Sequence, residues 1–164
     1  MNQFLVLAGL ALVSIIPQAV DRGVAAGGRG LMMVARGTFD VKLSPQADDT
    51  AAAGPFNRLF VSKQYQGALR ASSNGQMLSA EAAEGSAGYV ALEYVTGALN
   101  GLRGSFVLQH VGTMRKGAPA LNVSVVPDSG TEQLKGIAGS MTIVVEGNKH
   151  SYTFDYTIER SERK

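Results

Sequence analysis

The sequence predicts an all-β protein: one antiparallel domain of about seven or eight strands, closed as a barrel or paired as a sandwich. Three observations predict it. Apolar residues recur at every second position through most of the chain after Leu31, and successive side chains of a strand face opposite sides. Turn residues, chiefly Gly, Asn, Asp and Pro, punctuate these runs at hairpin spacing. No segment after Leu31 sustains a long helical period. Composition agrees, because 20 glycines suit many tight turns and 45% hydrophobic residues suffice for a core in a chain of 164, enough for one domain.

Residues 1–26 read as a leader. Phe4 to Ile16 is an unbroken apolar and small-residue run ending at Pro17. As a helix it would span about 20 Å, short of the roughly 30 Å hydrocarbon core, so no stable membrane anchor is expected. The run fits a secretory signal, with Val24-Ala25-Ala26 as a cleavage site, and so predicts a periplasmic or secreted protein. Met1-Asn2-Gln3 lacks the usual basic residue; the alternative is translation from Met32 or Met33 and a cytoplasmic protein. Residues 27–36 then form an extension entering the first strand, 37–160 the β domain, and 161–164 a charged tail.

Met33 to Leu43 alternates, apolar or small at odd positions and mostly polar at even ones, which predicts the first strand. Ser44 to Pro55 predicts a loop. Leu59, Val61, Tyr65, Leu69 and Ala71 continue the alternation, with Gly67 as a bend or bulge, and Asn74-Gly75 predicts a hairpin turn. Tyr89 to Val95 and Ser105 to Val111 are strands joined through Asn100 to Gly104. Leu121, Val123 and Val125 form another, stopped by Pro127 to Gly130. Met141 to Val145 leads through Gly147-Asn148 into Tyr152, Phe154, Tyr156 and Ile158. Leu78 to Glu84 and Thr131 to Ile137 each allow one helical turn.

Several function classes are excluded or disfavoured. The chain has no cysteine, so it has no disulfide, thiolate metal site or cysteine nucleophile. Its 15 basic and 13 acidic residues are scattered, without the dense basic patch a nucleic-acid binder needs. No metal site or cofactor is expected: His110 and His150 have no spacing that implies convergence, and His150, beside Gly147-Asn148, is expected in solvent. Ala71 to Gly75 has the spacing of a nucleophile elbow but precedes the expected hairpin, so it reads as a turn.

Long blocks carry a family resemblance. GTFDVKL from Gly37, SKQYQGALRASSNGQMLSA from Ser62 and GSAGYVALEYVTGALNGLRGSFVLQHVGTM from Gly85 resemble one bacterial family of unknown function. So do VPDSGTEQLKGIAGSMTI from Val126 and KHSYTFDYTI from Lys149. The family's fold is similar to the allene oxide cyclase barrel, and the resemblance implies a single eight-stranded antiparallel barrel of lipocalin-like outline. It implies no reaction: the catalytic residues of plant allene oxide cyclase do not match positions here. Where the family often has Phe-His, this chain reads Tyr65-Gln66.

Strand parity singles out three ionisable residues. Lys63 shares a face with Leu59, Val61 and Tyr65; His110 with Phe106 and Leu108; Glu93 with Tyr89, Ala91 and Val95. Burying a charge costs several kcal/mol unless it is paired or wet. A polar cluster within or at the mouth of a barrel pocket follows, suited to a small apolar or amphipathic molecule. Candidate ligand-binding residues are Lys63, Tyr65, Tyr89 and Glu93, with Phe106, His110 and Tyr156. A catalytic alternative, a cofactorless isomerase or cyclase, has Glu93 or His110 move a proton while Lys63 stabilises negative charge. A blander reading pairs Lys63 with Glu93 inside a packed barrel that acts through its surface, for instance as a homo-oligomer. The stripe Tyr152, Phe154 and Tyr156 is expected in the core. A cavity above roughly 300 Å³ favours binding or catalysis over the packed barrel.

Overall fold

Eight strands follow one another around a closed antiparallel barrel in the computed structural model, which describes residues 31–46 and 56–159. They are β1 (Met33–Pro45), β2 (Phe56–Gly67), β3 (Leu69–Glu81), β4 (Ala87–Leu99), β5 (Leu102–Arg115), β6 (Ala118–Val125), β7 (Ile137–Glu146) and β8 (Lys149–Ile158). Each pairs with its chain neighbour, and β1 closes the ring on β8 from Met33↔Tyr156 to Phe39↔His150. Closure removes the two free edges an open sheet would expose. The leader and its cleavage site, residues 47–55 and the charged tail lie outside the described residues.

Turn chemistry explains most of the hairpins. Asn100-Gly101 and Lys116-Gly117 each hold two consecutive positive φ angles (48° and 84°, 49° and 82°), the geometry of the two-residue turn that matches strand twist. Gly147-Asn148 joins β7 to β8 as expected. Two expectations are corrected at Gly67 and Asn74-Gly75. The reversal falls at Gly67 (φ 103°) and Ala68, whereas Asn74-Gly75 lies mid-strand in β3, paired with Ser62 and Val61 on one side and Tyr94 and Glu93 on the other. Local turn propensity yields there to the sheet: a Cβ at Gly75 would lie 2.6 Å from the Leu92 carbonyl oxygen and 3.1 Å from Glu93 Cα. This glycine is thus required for close approach, the other common reason for glycine in a strand. Ala71 to Gly75 is likewise strand, not turn.

Two smaller corrections concern boundaries. β1 runs on through Pro45, which pairs with Leu59, so the expected loop starts later. Leu78 to Glu81 completes β3 and is not helical, whereas Glu132–Leu134 does form a 3-10 turn. That turn belongs to the long β6–β7 connection, which runs along the edge of β5 beyond its pairing with β6 and puts Leu134 into the core. Thr131 N–H donates to the Ser105 carbonyl at 2.9 Å and Val107 N–H to Ser129 Oγ at 3.0 Å.

The interior has two unlike ends. One is filled by Leu69, Val95, Leu99, Phe106, Phe154 and Tyr156, all 1% exposed or less. Phe154 stacks on Phe106 at 5.7 Å and on Tyr156 at 5.2 Å, so the aromatic stripe of β8 is core, as expected. Tyr152 crosses from β8 to the β2–β3 reversal. Its hydroxyl accepts the Leu69 N–H at 2.9 Å and donates to the Gln66 carbonyl at 3.2 Å. The other end stays partly open and holds the polar residues.

Candidate functional site

Register brings the polar residues together. Lys63 on β2 and Glu93 on β4 flank β3, and paired strands lie about 4.8 Å apart, so the two backbones stand about 10 Å from each other. The side chains meet over Gly75, which pairs with Glu93 and has no side chain to intervene. Lys63 Nζ donates to Glu93 Oε2 at 2.6 Å. His110 on β5 lies opposite Ala91, one inward position along from Glu93, and its Nε2 meets the same Oε2 at 2.8 Å. The other carboxylate oxygen, Oε1, accepts from Tyr65 Oη at 2.8 Å and from Ser73 Oγ at 2.5 Å.

Glu93 therefore accepts four hydrogen bonds, about the full capacity of a carboxylate. It is 2% exposed. Burial alone pushes its carboxyl upward; the hydrogen bond to His110 and the positive charge of Lys63 outweigh this and hold it at about 2. Glu93 is then ionised at neutral pH and accepts only, so Nε2 is the protonated nitrogen of the His110 ring. The same negative charge, adding to burial, pushes the Tyr65 hydroxyl well above its ordinary range and the Tyr89 hydroxyl up to about 12. Lys63 also donates to Tyr65 Oη at 3.3 Å and sits over the Phe39 ring, 4.8 Å from its centroid, a favourable cation–π distance.

Above this network is a cavity of about 190 Å³. Apolar side chains form most of its wall, among them Phe39, Val61, Met77, Ala91, Leu121 and Ile143. Lys63, Glu93 and His110 form its polar floor, with Tyr89 and His150 on its sides. It opens toward solvent past Leu43, which is 45% exposed although its parity points inward. The volume falls short of the roughly 300 Å³ expected to favour binding or catalysis over a packed barrel, and lies just above a 150 Å³ cavity that accepts benzene. Tyr89 lies flat against Gly112 of β5, where a Cβ would stand 2.0 Å from its ring. Among the described residues no three His, Asp or Glu side chains gather as a metal-binding group.

Residues 35–156 match the family described as "Protein of unknown function (DUF3224)". The chain belongs to the DUF3224 family. It is also similar to a crystal structure, at 1.84 Å resolution, of a DUF3224 protein of unknown function from Shewanella oneidensis MR-1. The two share 44% identity with a TM-score of 0.74, over 80% of this chain and all of that one. No curated protein matches.

In this DUF3224 barrel the candidate residues divide. Lys63, Tyr89, Glu93 and His110 line the cavity. Tyr65 does not line it but bonds to Glu93 and Lys63 in its floor. Phe106 and Tyr156 do not line it: they stand at the packed end, where the Tyr156 hydroxyl accepts from Asn100 Nδ2 at 2.8 Å. Two residues were missed. Ser73 is 3% exposed and bonded to Glu93; its odd-numbered parity, shared with Leu69 and Ala71, was masked by the turn reading of its segment. His150 is half-buried, not solvated, with its ring 5.1 Å from that of Phe39. It has the even parity of Tyr152 and Phe154, a signal the adjacent Gly147-Asn148 turn obscured. Burial lowers the His150 imidazole below its ordinary value, and the Lys63 charge adds to this against an opposing pull from Asp40.

Proposed function

We propose that this barrel binds a small, largely apolar molecule carrying one polar group. One observation carries the reading: an apolar cavity opens at one end of the barrel and is floored by a hydrogen-bonded Lys63–Glu93–His110 cluster. A packed structural barrel has no need to bury three ionisable groups in a hollow, where each costs several kcal/mol to desolvate. The cavity size sets the ligand at about one aromatic ring with a short substituent, or a chain of similar volume. An eight-carbon ligand gains about 6 kcal/mol at about 0.8 kcal/mol per buried methylene, so a Kd on the order of tens of micromolar is expected.

The catalytic alternative loses Glu93 as its base, for a specific reason, and would rest on His110. A base must have a lone pair and an affinity for protons at working pH. Glu93 has four donors around it and a carboxyl held at about 2, so it orients its neighbours and takes no proton from a substrate. The likeness to allene oxide cyclase and lipocalins expected from the sequence would concern barrel outline alone and would supply no reaction.

Two measurements test the reading. Mass spectrometry of the natively purified protein identifies small molecules that copurify, and calorimetry follows titration with ethylbenzene. Saturable binding is expected in the wild type and its loss in Ala91→Phe, which fills the cavity opposite His110. No copurifying molecule and no saturable binding up to about tenfold above the expected Kd would overturn it.

A further inference from the structure

The cluster beneath the cavity is closed to a ligand at every polar atom but one. Glu93 accepts from Lys63, His110, Tyr65 and Ser73. The Ser73 and Tyr65 hydroxyls each donate their single proton to Glu93, and Tyr65 Oη also accepts from Lys63. Lys63 divides its three N–H groups between Glu93, Tyr65 and the face of Phe39. Its positive charge is already met at 2.6 Å by that of Glu93. His110 gives Nε2 to the carboxylate, which leaves Nδ1.

Nδ1 has no protein partner among the described residues, and it is not sealed away either. The buried side-chain atom without a partner there is Gln46 Oε1, whereas His110 lines the cavity. A carboxylate that fixes the proton on one imidazole nitrogen leaves the lone pair of the neutral ring on the other. In the neutral ring Nδ1 is therefore an oriented hydrogen-bond acceptor at the base of an apolar chamber.

On this basis, and resting on the binding reading above, we infer that His110 Nδ1 selects ligands with a hydroxyl group, and small phenols and alcohols are the class it takes. The hydroxyl donates to Nδ1 while the ring or chain fills the wall formed by Val61, Met77, Ala91, Leu121 and Ile143. A carboxylate ligand suits the site less well. With the charges of Lys63 and Glu93 already paired, it would carry an unpaired negative charge against a mostly apolar wall. An apolar ligand of the same shape fits the wall and leaves Nδ1 without a partner, the situation in which a site built to hydrogen-bond discriminates.

Calorimetry at neutral pH with 4-ethylphenol, ethylbenzene and 4-methylbenzoate, probes of nearly equal size, tests this. Wild-type protein is expected to bind 4-ethylphenol about tenfold more tightly than ethylbenzene, the worth of one hydrogen bond to a confined acceptor, and 4-methylbenzoate most weakly. In His110→Phe the preference for the phenol should vanish while ethylbenzene still binds. Since that variant also disturbs Glu93, nitrogen-15 NMR of wild-type His110 gives a separate reading. The Nδ1 resonance should move on adding 4-ethylphenol and stay in place with ethylbenzene. Equal affinity for phenol and hydrocarbon, an unmoved Nδ1 resonance at saturation, or tightest binding by 4-methylbenzoate overturns the inference and leaves the binding reading standing. Failure of all three probes to bind overturns both.

Discussion

Replacing Glu93 with glutamine tests whether the buried cluster is held by one carboxylate. The side chain is 2% exposed, so solvent screening takes little from its interactions. Its carboxyl is held at about 2 against an ordinary 4.5, and at about 1.4 kcal/mol per pH unit that corresponds to about 3 kcal/mol of stability. Because the folded value lies below the unfolded one, this stability is fully present above about pH 4.5. It is lost as pH falls from there through about 2, where the unfolded chain binds a proton that the folded one refuses. Glu93→Gln removes it at all pH values and puts an amide N–H₂ where two hydroxyls now donate, while Lys63 is left buried without its counter-charge. A loss of about 3 kcal/mol at pH 7 is expected, with the melting temperature down by about 10 °C for a domain of this size. Urea unfolding of wild type and variant across the range pH 7 to 2.5 measures both effects. The two stability curves should converge as the pH falls below 4.5, and adding Lys63→Met to the variant should recover part of the loss by removing the orphaned cation. A variant within about 2 °C of wild type, or one that keeps the wild-type acid limb, refutes the reasoning.

Two further outcomes are expected. Tyr152→Phe leaves the Leu69 N–H without its acceptor in a place that is 1% exposed, so a loss of about 1–3 kcal/mol in chemical denaturation is expected, with the β2–β3 reversal loosened; a loss below about 0.5 kcal/mol would show that water takes over the bond. β6 meets β7 through one residue pair, Ser124↔Ser140, whereas β3 and β4 pair from Leu69↔Leu99 to Glu81↔Ala87. Hydrogen exchange is therefore expected to be fastest, within the barrel, at the amides of residues 118–122 and 141–146 that face this seam, and equal protection there and in β3 would contradict the pairing.

Most of the barrel was legible because its determinants are local. Alternation in β1, β4, β5, β7 and β8 shows which side chains turn inward, and Asn100-Gly101 and Gly147-Asn148 reverse the chain where turn chemistry alone places them. What was not legible is register. Asn74-Gly75 is as strong a hairpin signal as Asn100-Gly101, and nothing in the neighbouring residues tells them apart. The distinction lies with residues far along the chain: Leu92 and Glu93 press on β3 at Gly75, and no local propensity records that pressure. Lys116-Gly117 makes the complementary point, since lysine at a φ of 49° is accepted only because β5 and β6 demand the turn.

The same distinction governs the candidate site. Parity predicted that Lys63, Glu93 and His110 face the interior, since a one-residue slip would have turned Lys63 and its apolar neighbours outward together. Parity does not say how far apart they stand. A reversal at Asn74-Gly75 would have ended β3 where it now passes between Lys63 and Glu93, and the two charges would have had no reason to meet. The reversal at Gly67 instead lays Ser73 and Gly75 between them, one supplying a hydroxyl and the other supplying space. Each of these residues breaks a local rule: a lysine and a glutamate on apolar faces, a glycine in mid-strand, a serine in the core. Local rules are broken in concert where a structure pays stability for something other than folding, and here all four exceptions converge on the Glu93 side chain in the floor of one cavity.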